Sequence, residues 1–108
     1  MPNLCVIDIT YIVDLAEVDV HMDAHRDFLQ RQYEAGIFLA SGRKEPRTGG
    51  VILATGDRSA LQDVLADDPF NRHGIASYTV TAFLPTMTSP ELASFRHVRP
   101  QEGAEICE

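Results

Sequence analysis

The sequence has few basic residues and no long apolar run, and each absence excludes a class of partner. It contains 9 Lys and Arg residues against 16 Asp and Glu residues, so its formal net charge is -7. A chain of this charge repels phosphate backbones and anionic lipid surfaces on average. No apolar segment approaches the ~18 residues that span a bilayer, and no basic segment of the signal-peptide type follows Met1. We therefore expect no nucleic-acid partner, no membrane partner and no export.

Cysteine is also scarce, and its two positions match no metal-binding or redox spacing. Cys5 lies within an apolar run, which predicts a small buried hydrophobic residue, whereas Cys107 lies in a polar, acidic tail, which predicts a free thiol. This use of cysteine favours a cytoplasmic protein.

The length of 108 residues fits one domain with a single small core. Apolar periodicity, β-branched residues and turn residues predict its elements. In chain order these are a strand over residues 4–12, one long amphipathic helix over 15–35 capped by Gly36, strands over 37–42 and 51–55, a helix from Asp57 or Ser59 to Ala66, and a strand over 76–84.

The order β-α-β-β-α-β predicts an α+β, ferredoxin-like fold, in which both helices pack on one face of a four-stranded antiparallel sheet. If the other face includes Ile7, Ile9, Ile52 or Val80, a monomer would expose a large apolar surface. Self-association would cover that surface. We therefore expect a homodimer formed through the two sheets, with residues 88–108 as a tail that packs on the partner or stays mobile.

Four segments occur in the order typical of one protein family. They are DAHRDFLQRQYEAGIFLASGR, PRTGGVILA, DDPFNRHGIASY and FLPT. On these segments the chain resembles the YciI-like (YCII-related) proteins over residues 1–87, which leaves 88–108 as a C-terminal tail. The resemblance implies a dimeric α/β barrel related to muconolactone-isomerase-type proteins. One relative of this kind is a dehydrochlorinase acting on a chlorinated hydroxyhydroquinone, which implies that the family supports proton-transfer and elimination chemistry.

The resemblance also implies a site. It makes His25 the family histidine and Asp68 its acidic partner, and Ser41 matches the serine of the family's Ser-Gly pair. Arg47 is the nearest basic substitute for an arginine that the family carries elsewhere, and the family pattern favours Tyr78 as a donor to a substrate oxygen. We therefore expect His25 and Asp68 to be catalytic, and Ser41, Arg47 and Tyr78 to bind substrate.

The position of His25 is unusual on its own terms. It stands between Met22 and Leu29 on the apolar stripe of the predicted helix, so its ring points toward the core or a cleft. Asp68 is able to hold one ring nitrogen and leave the other free as a general base. In the alternative interpretation, His25 is a core histidine bonded to a backbone carbonyl, and Asp68 only forms the turn before Pro69.

Two further arrangements carry weaker signals. His21 and His25 are four residues apart, like the histidines of a helical zinc motif, but no third ligand follows at a matching spacing. Asp8 interrupts the first strand and either faces the cleft or marks a strand edge. His73 lies in an expected exposed turn and receives no role. We expect neither a metal nor an organic cofactor.

Arg43, Lys44 and Arg47 form a local basic cluster, which either holds a carboxylate or phenolate at a pocket mouth or solvates a loop. Two functions remain open at this point. The first is a cofactor-independent lyase, dehydrochlorinase-like, or an isomerase, in which His25 removes a proton from a small carbonyl compound or a hydroxylated aromatic compound. The second is a non-catalytic small-molecule-binding or accessory protein that uses the same dimeric cavity.

Overall fold

The computed structural model describes residues 3–97 as one antiparallel sheet with α-helices on one of its faces. The elements in chain order are β1 (Leu4–Tyr11), α1 (Leu15–Val20), α2 (Met22–Glu34), β2 (Phe38–Arg43), β3 (Gly49–Thr55), α3 (Arg58–Leu65), α4 (Pro69–Arg72), β4 (Ala76–Phe83) and a 3-10 helix (Pro90–Phe95).

The sheet has the strand order β2-β3-β1-β4, and its three strand pairs are all antiparallel. β1 is central, and its residue Ile7 lies opposite Ile52 of β3 and Val80 of β4. This order, with a helical crossover after β1 and another after β3, is the ferredoxin-like fold. The predicted α+β class and four-stranded antiparallel sheet are confirmed.

The two faces of the sheet differ in what covers them. Side chains of a strand alternate between faces, and Cys5, Ile7 and Ile9 of β1 lie on the helix-covered face, where they are buried. Ile52 and Val80 share that face because they pair with Ile7. None of the four isoleucine and valine residues considered for the open face therefore lies on it; they belong to the core beneath the helices.

The predicted long helix is interrupted at His21. α1 ends at Val20, His21 takes φ -105° and ψ 7°, and α2 begins at Met22. Val18 and Val20 are β-branched residues of low helix propensity just before the break. The apolar spacing of Val18, Met22 and His25 continues across it, so periodicity alone does not reveal the interruption.

A second difference is the short helix α4, which begins at Pro69, where the sequence pattern predicts no helix. Asp68 is its N-cap, and the carboxylate accepts a hydrogen bond from the backbone N–H of Phe70 at 3.0 Å. Pro69 occupies the first helical turn, where its missing N–H has no consequence. For α3 the cap is Asp57, one of the two residues predicted for it.

At two positions the backbone geometry favours glycine over a residue with a Cβ atom. Gly36 follows α2 with φ 78°, a left-handed conformation suited to the predicted C-terminal cap. A Cβ at Gly49 would collide with the carbonyl oxygen of Ile9 on the paired strand. Because Gly49 allows this close approach, β3 continues two residues further toward its N-terminus than the sequence predicts.

Cys5 is buried and unbridged, as predicted. Within residues 3–97 no helix is long and apolar enough to cross a membrane. The 3-10 helix Pro90–Phe95 lies in the segment assigned to the tail. The rest of that segment, including Cys107, falls outside the described residues.

Candidate active site

His25 of α2 and Asp68, the N-cap residue of α4, are in contact where these two helices meet. Nδ1 of His25 lies 2.8 Å from Oδ1 of Asp68. His25 is 8% exposed and Asp68 is fully buried. The pairing follows from local sequence: the apolar face of α2 turns His25 inward, and the N-cap position of α4 holds the Asp68 carboxylate against the helix end.

Asp68 receives hydrogen bonds from three elements. Besides His25 of α2, the backbone N–H of Phe70 donates to Oδ1 at 3.0 Å, and the hydroxyl of Tyr78 on β4 donates to Oδ2 at 2.6 Å. An ionised carboxylate only accepts hydrogen bonds, so Nδ1 of His25 must carry the proton in this arrangement. The lone pair of the neutral imidazole then lies on Nε2.

Phe70 also fixes the plane of the imidazole. Its ring stacks on that of His25, with centroids 4.0 Å apart and an interplanar angle of 2°. Tyr11 meets the Phe70 ring edge-on at 5.9 Å. The aromatic residue after Asp68-Pro69 therefore holds the carboxylate through its backbone and the histidine through its side chain.

His25 lines a cavity of about 640 Å³ between α2 and the N-terminal end of β3. Its apolar wall is formed by aliphatic side chains of β1, α2 and β3, namely Ile9, Met22, Leu29 and Ile52. Among the described residues no side chain is hydrogen-bonded to Nε2 of His25, so Asp68 leaves this ring nitrogen free.

Two of the three predicted substrate-binding residues line this cavity. The hydroxyl of Ser41 is bonded to that of Tyr33 at 2.5 Å. Nη2 of Arg47, in the β2–β3 loop, lies 2.6 Å from Oδ1 of Asp19 on α1. Both residues line the cavity. The hydrogen bond to Asp19, with a smaller contribution from Tyr11, raises the pKa of Arg47 above its usual value, so the guanidinium keeps its charge.

Tyr78, the third predicted substrate-binding residue, contacts Asp68 and does not line the cavity. Burial, followed by the adjacent Asp68 charge, raises the pKa of Tyr78 far above its ordinary value of 10.0. Tyr78 therefore stays protonated and donates to Asp68. Its sequence signal is the alternation of β4, which places it on the covered face opposite Ile9, but the contact with Asp68 depends on tertiary structure.

The remaining candidates have other contacts. Asp8 lies on the open face of the central strand β1, between Val51 and Thr79, and forms an ion pair with Lys44 at 2.6 Å. It therefore neither faces His25 nor marks a strand edge. The ring of His21 stacks on that of His73, with centroids 4.3 Å apart. Over residues 3–97, no group of three or more His, Cys, Asp and Glu side chains is placed to hold a metal ion.

The YCII-related domain matches residues 4–84. The matched range contains His25, Asp68 and all four strands of the ferredoxin-like sheet. The chain belongs to the YCII-related domain family. No curated protein sequence is significantly similar to this YCII-related domain.

Solved structures share the fold at low identity. One is the 5-chloro-2-hydroxyhydroquinone dehydrochlorinase TftG from Burkholderia phenoliruptrix, in complex with 2,5-dihydroxybenzoquinone; the TM-score is 0.60 at 16% identity, over 76% of this chain and 94% of that one. Another is SnoaB, a cofactor-independent oxygenase from Streptomyces nogalater, with a TM-score of 0.50 at 20% identity, over 82% of this chain and 97% of that one. Both neighbours are members of the dimeric α/β barrel superfamily.

Replacing Tyr78 by Phe removes one donor from the buried Asp68, and we expect a loss of about 1–3 kcal/mol in the free energy of unfolding. The pH dependence changes as well. Because the folded pKa of Tyr78 is raised, its unfolded form loses a proton first, and stability present below pH ~10 falls by up to about 1.4 kcal/mol per pH unit above it. The variant lacks this contribution. Urea unfolding between neutral and alkaline pH measures both effects.

Tyr33→Phe is the matched control, because its hydroxyl bonds only the exposed Ser41 hydroxyl. It should cost less than about 1 kcal/mol. Equal losses in the two variants, or an unchanged alkaline slope in Tyr78→Phe, would contradict the role given to the Tyr78–Asp68 bond.

Proposed function

We propose that this YCII-related domain is a small cofactor-independent lyase or isomerase in which His25 is the general base and Asp68 orients it. The observation that carries the proposal is the 2.8 Å contact between Nδ1 of His25 and the fully buried Asp68, beside a cavity that His25 lines. A base needs an unprotonated nitrogen facing the substrate, and this contact directs Nε2 to that role.

The chemistry requires one proton acceptor and a polarised substrate. Nε2 of His25 takes a proton from a carbon next to a carbonyl or on a hydroxylated ring, which leaves an enolate or its ring equivalent and an imidazolium. Asp68 stabilises the imidazolium. Return of the same proton to another carbon completes an isomerisation. Departure of an anionic leaving group completes an elimination, and the imidazolium then releases its proton to water.

The activity of one structural neighbour belongs to this class of reaction, because dehydrochlorination is an elimination. TftG is a dehydrochlorinase of a hydroxylated ring, and SnoaB is an oxygenase that uses no cofactor. A cavity of about 640 Å³ is within the range that small-molecule sites occupy. The cytoplasmic location expected from cysteine usage stays a prediction.

The test is catalysis on two probes, chloride release from 5-chloro-2-hydroxyhydroquinone and deuterium exchange next to the carbonyl of cyclohexanone in D2O. We expect the wild type to accelerate at least one of them. His25→Gln should lower that rate by about 10²–10⁴-fold because it removes the base. Asp68→Asn should lower it by up to ~10⁴-fold with probe binding retained, because Asn favours the wrong tautomer.

His73→Gln serves as the control, since His73 does not line the cavity and its ring stacks on that of His21. It should keep the wild-type rate. If both probes bind while neither reacts faster than in buffer, the catalytic proposal fails, and the non-catalytic binding function is the one that the cavity serves. A rate that survives in His25→Gln would also refute the proposal.

We further propose that the protein is a homodimer formed through the open face of the sheet. Ala40, Leu53 and Val6 are cross-strand neighbours on that face, and Val51, 38% exposed, extends the apolar row. Phe83, 42% exposed, lies at the far edge of the same face. Exposed apolar surface of this kind typically marks an interface.

Sedimentation should report about twice the chain mass of 12.0 kDa. Leu53→Asp should lower it to the monomer mass, because a carboxylate in the centre of the row would be desolvated against the partner. Val20→Asp, at a 76% exposed position on the helical side, should leave the dimer intact. A monomeric wild type, or equal effects of the two substitutions, would exclude this interface.

A further inference from the structure

The cavity carries an excess of positive charge that the base does not require. We propose that its ligand is a small monoanion with an apolar body, whose acidic group binds Arg43 and Ser41 of β2. This ligand class rests on the proposed function in one respect: the proposed function places the reacting carbon at His25. Carboxylates and phenolates share the required chemistry.

The charge lining the cavity supports a single negative charge on the ligand. Three guanidinium groups line it, those of Arg26, Arg43 and Arg47, against two surface carboxylates, those of Asp19 and Asp23. The chain as a whole has a formal charge of -7, so the placement of three arginines at one cavity runs against its overall composition. One positive charge remains unmatched at the cavity.

Contact distances indicate which arginine carries the unmatched charge. Arg47 is engaged with Asp19 at 2.6 Å. The carboxylate nearest Arg43 is that of Glu45, at 4.0 Å, and both of those side chains are mostly exposed, so their attraction is weak. Arg26 has a similar loose contact with Asp23, at 4.0 Å, and both of these side chains are exposed.

The sheet register distinguishes Arg43 from Arg26. Arg43 and Ser41 are two residues apart on β2 and therefore point to the same face, the covered one, because Ser41 pairs with Ile52 and Arg43 with Gly50. Gly50 pairs with Arg43 on one side and with Ile9 on the other, and all three residues line the cavity. A guanidinium and a hydroxyl thus border one hollow, and the hydroxyl is positioned by Tyr33.

The opposite side of the hollow is suited to an apolar body. Met22 and Leu29 of α2 flank His25, and Ile52 lies beneath them on β3. An acidic group on β2 and an apolar body along this wall would bring a ligand carbon toward Nε2 of His25. Arg43 is thus a specificity-determining residue: a charge-assisted hydrogen bond to it selects an anion over a neutral molecule of the same shape.

The experiment compares benzoate with benzamide, which have the same shape and differ in charge, by NMR titration of the full chain. We expect benzoate to bind at least about tenfold more tightly and to shift the amides of Ser41 and Arg43. Arg43→Gln should weaken benzoate binding about tenfold and leave benzamide unchanged. Arg31→Gln, which removes an exposed arginine of α2 outside the cavity, should change neither affinity by more than roughly twofold.

Equal affinities for the two compounds in the wild type would overturn the proposal, and so would an equal loss of benzoate binding in Arg43→Gln and Arg31→Gln. Ser41→Ala should weaken benzoate binding less than Arg43→Gln does, since the hydroxyl contributes a neutral hydrogen bond. Retained benzoate binding in His25→Gln separates this proposal from the catalytic one, because anion binding on β2 requires no base.

Discussion

The site depends on one buried carboxylate. Asp68 has no exposed surface, and a charge in that position is unfavourable unless hydrogen bonds replace the lost water. His25, Phe70 and Tyr78 supply them from α2, α4 and β4. Because each donor belongs to a different element, the carboxylate is satisfied only when these elements meet in one arrangement. The same contacts that make the buried charge tolerable therefore orient the imidazole.

The proposed roles separate positioning from binding. Asp68, Phe70 and Tyr78 stand behind or against the imidazole, whereas Ser41, Arg43 and Arg47 border the cavity in front of it. The proposed positioning residues lie in or next to α4 and β4, and the proposed ligand-binding residues lie on β2 and the loop that follows it. Variation in β2 and this loop would alter the ligand without disturbing the dyad.

Much of the fold and the dyad is predictable from sequence, for physical reasons that also set the limit. Apolar spacing turns His25 inward, and the aspartate-proline pair at a helix boundary indicates a turn, but only the family resemblance pairs Asp68 with His25. Strand order follows from the sequence of elements. The face of each strand does not, because β1 and β3 carry apolar residues on both sides, and only the packed structure assigns Ile7, Ile9 and Ile52 to the core.

The contacts that sequence patterns miss are those that tertiary packing creates. Nothing in the sequence around Tyr78 indicates that its hydroxyl reaches Asp68, ten residues earlier, instead of a substrate. The stacking of Phe70 on His25 joins positions 45 residues apart. The break at His21 is hidden because the apolar stripe runs through it unchanged. Each of these features depends on how two elements meet, which local patterns do not encode.

The proposed chemistry requires that Asp68 hold His25 in one tautomer, with the proton on Nδ1 and the lone pair on Nε2. Nitrogen-15 NMR of the imidazole at mildly alkaline pH measures it, because protonated and unprotonated ring nitrogens have well-separated chemical shifts. We expect a protonated Nδ1 and an unprotonated Nε2 in the wild type, and loss of this preference in Asp68→Asn. A proton on Nε2 in the wild type, or an unchanged tautomer in Asp68→Asn, would refute this role of Asp68.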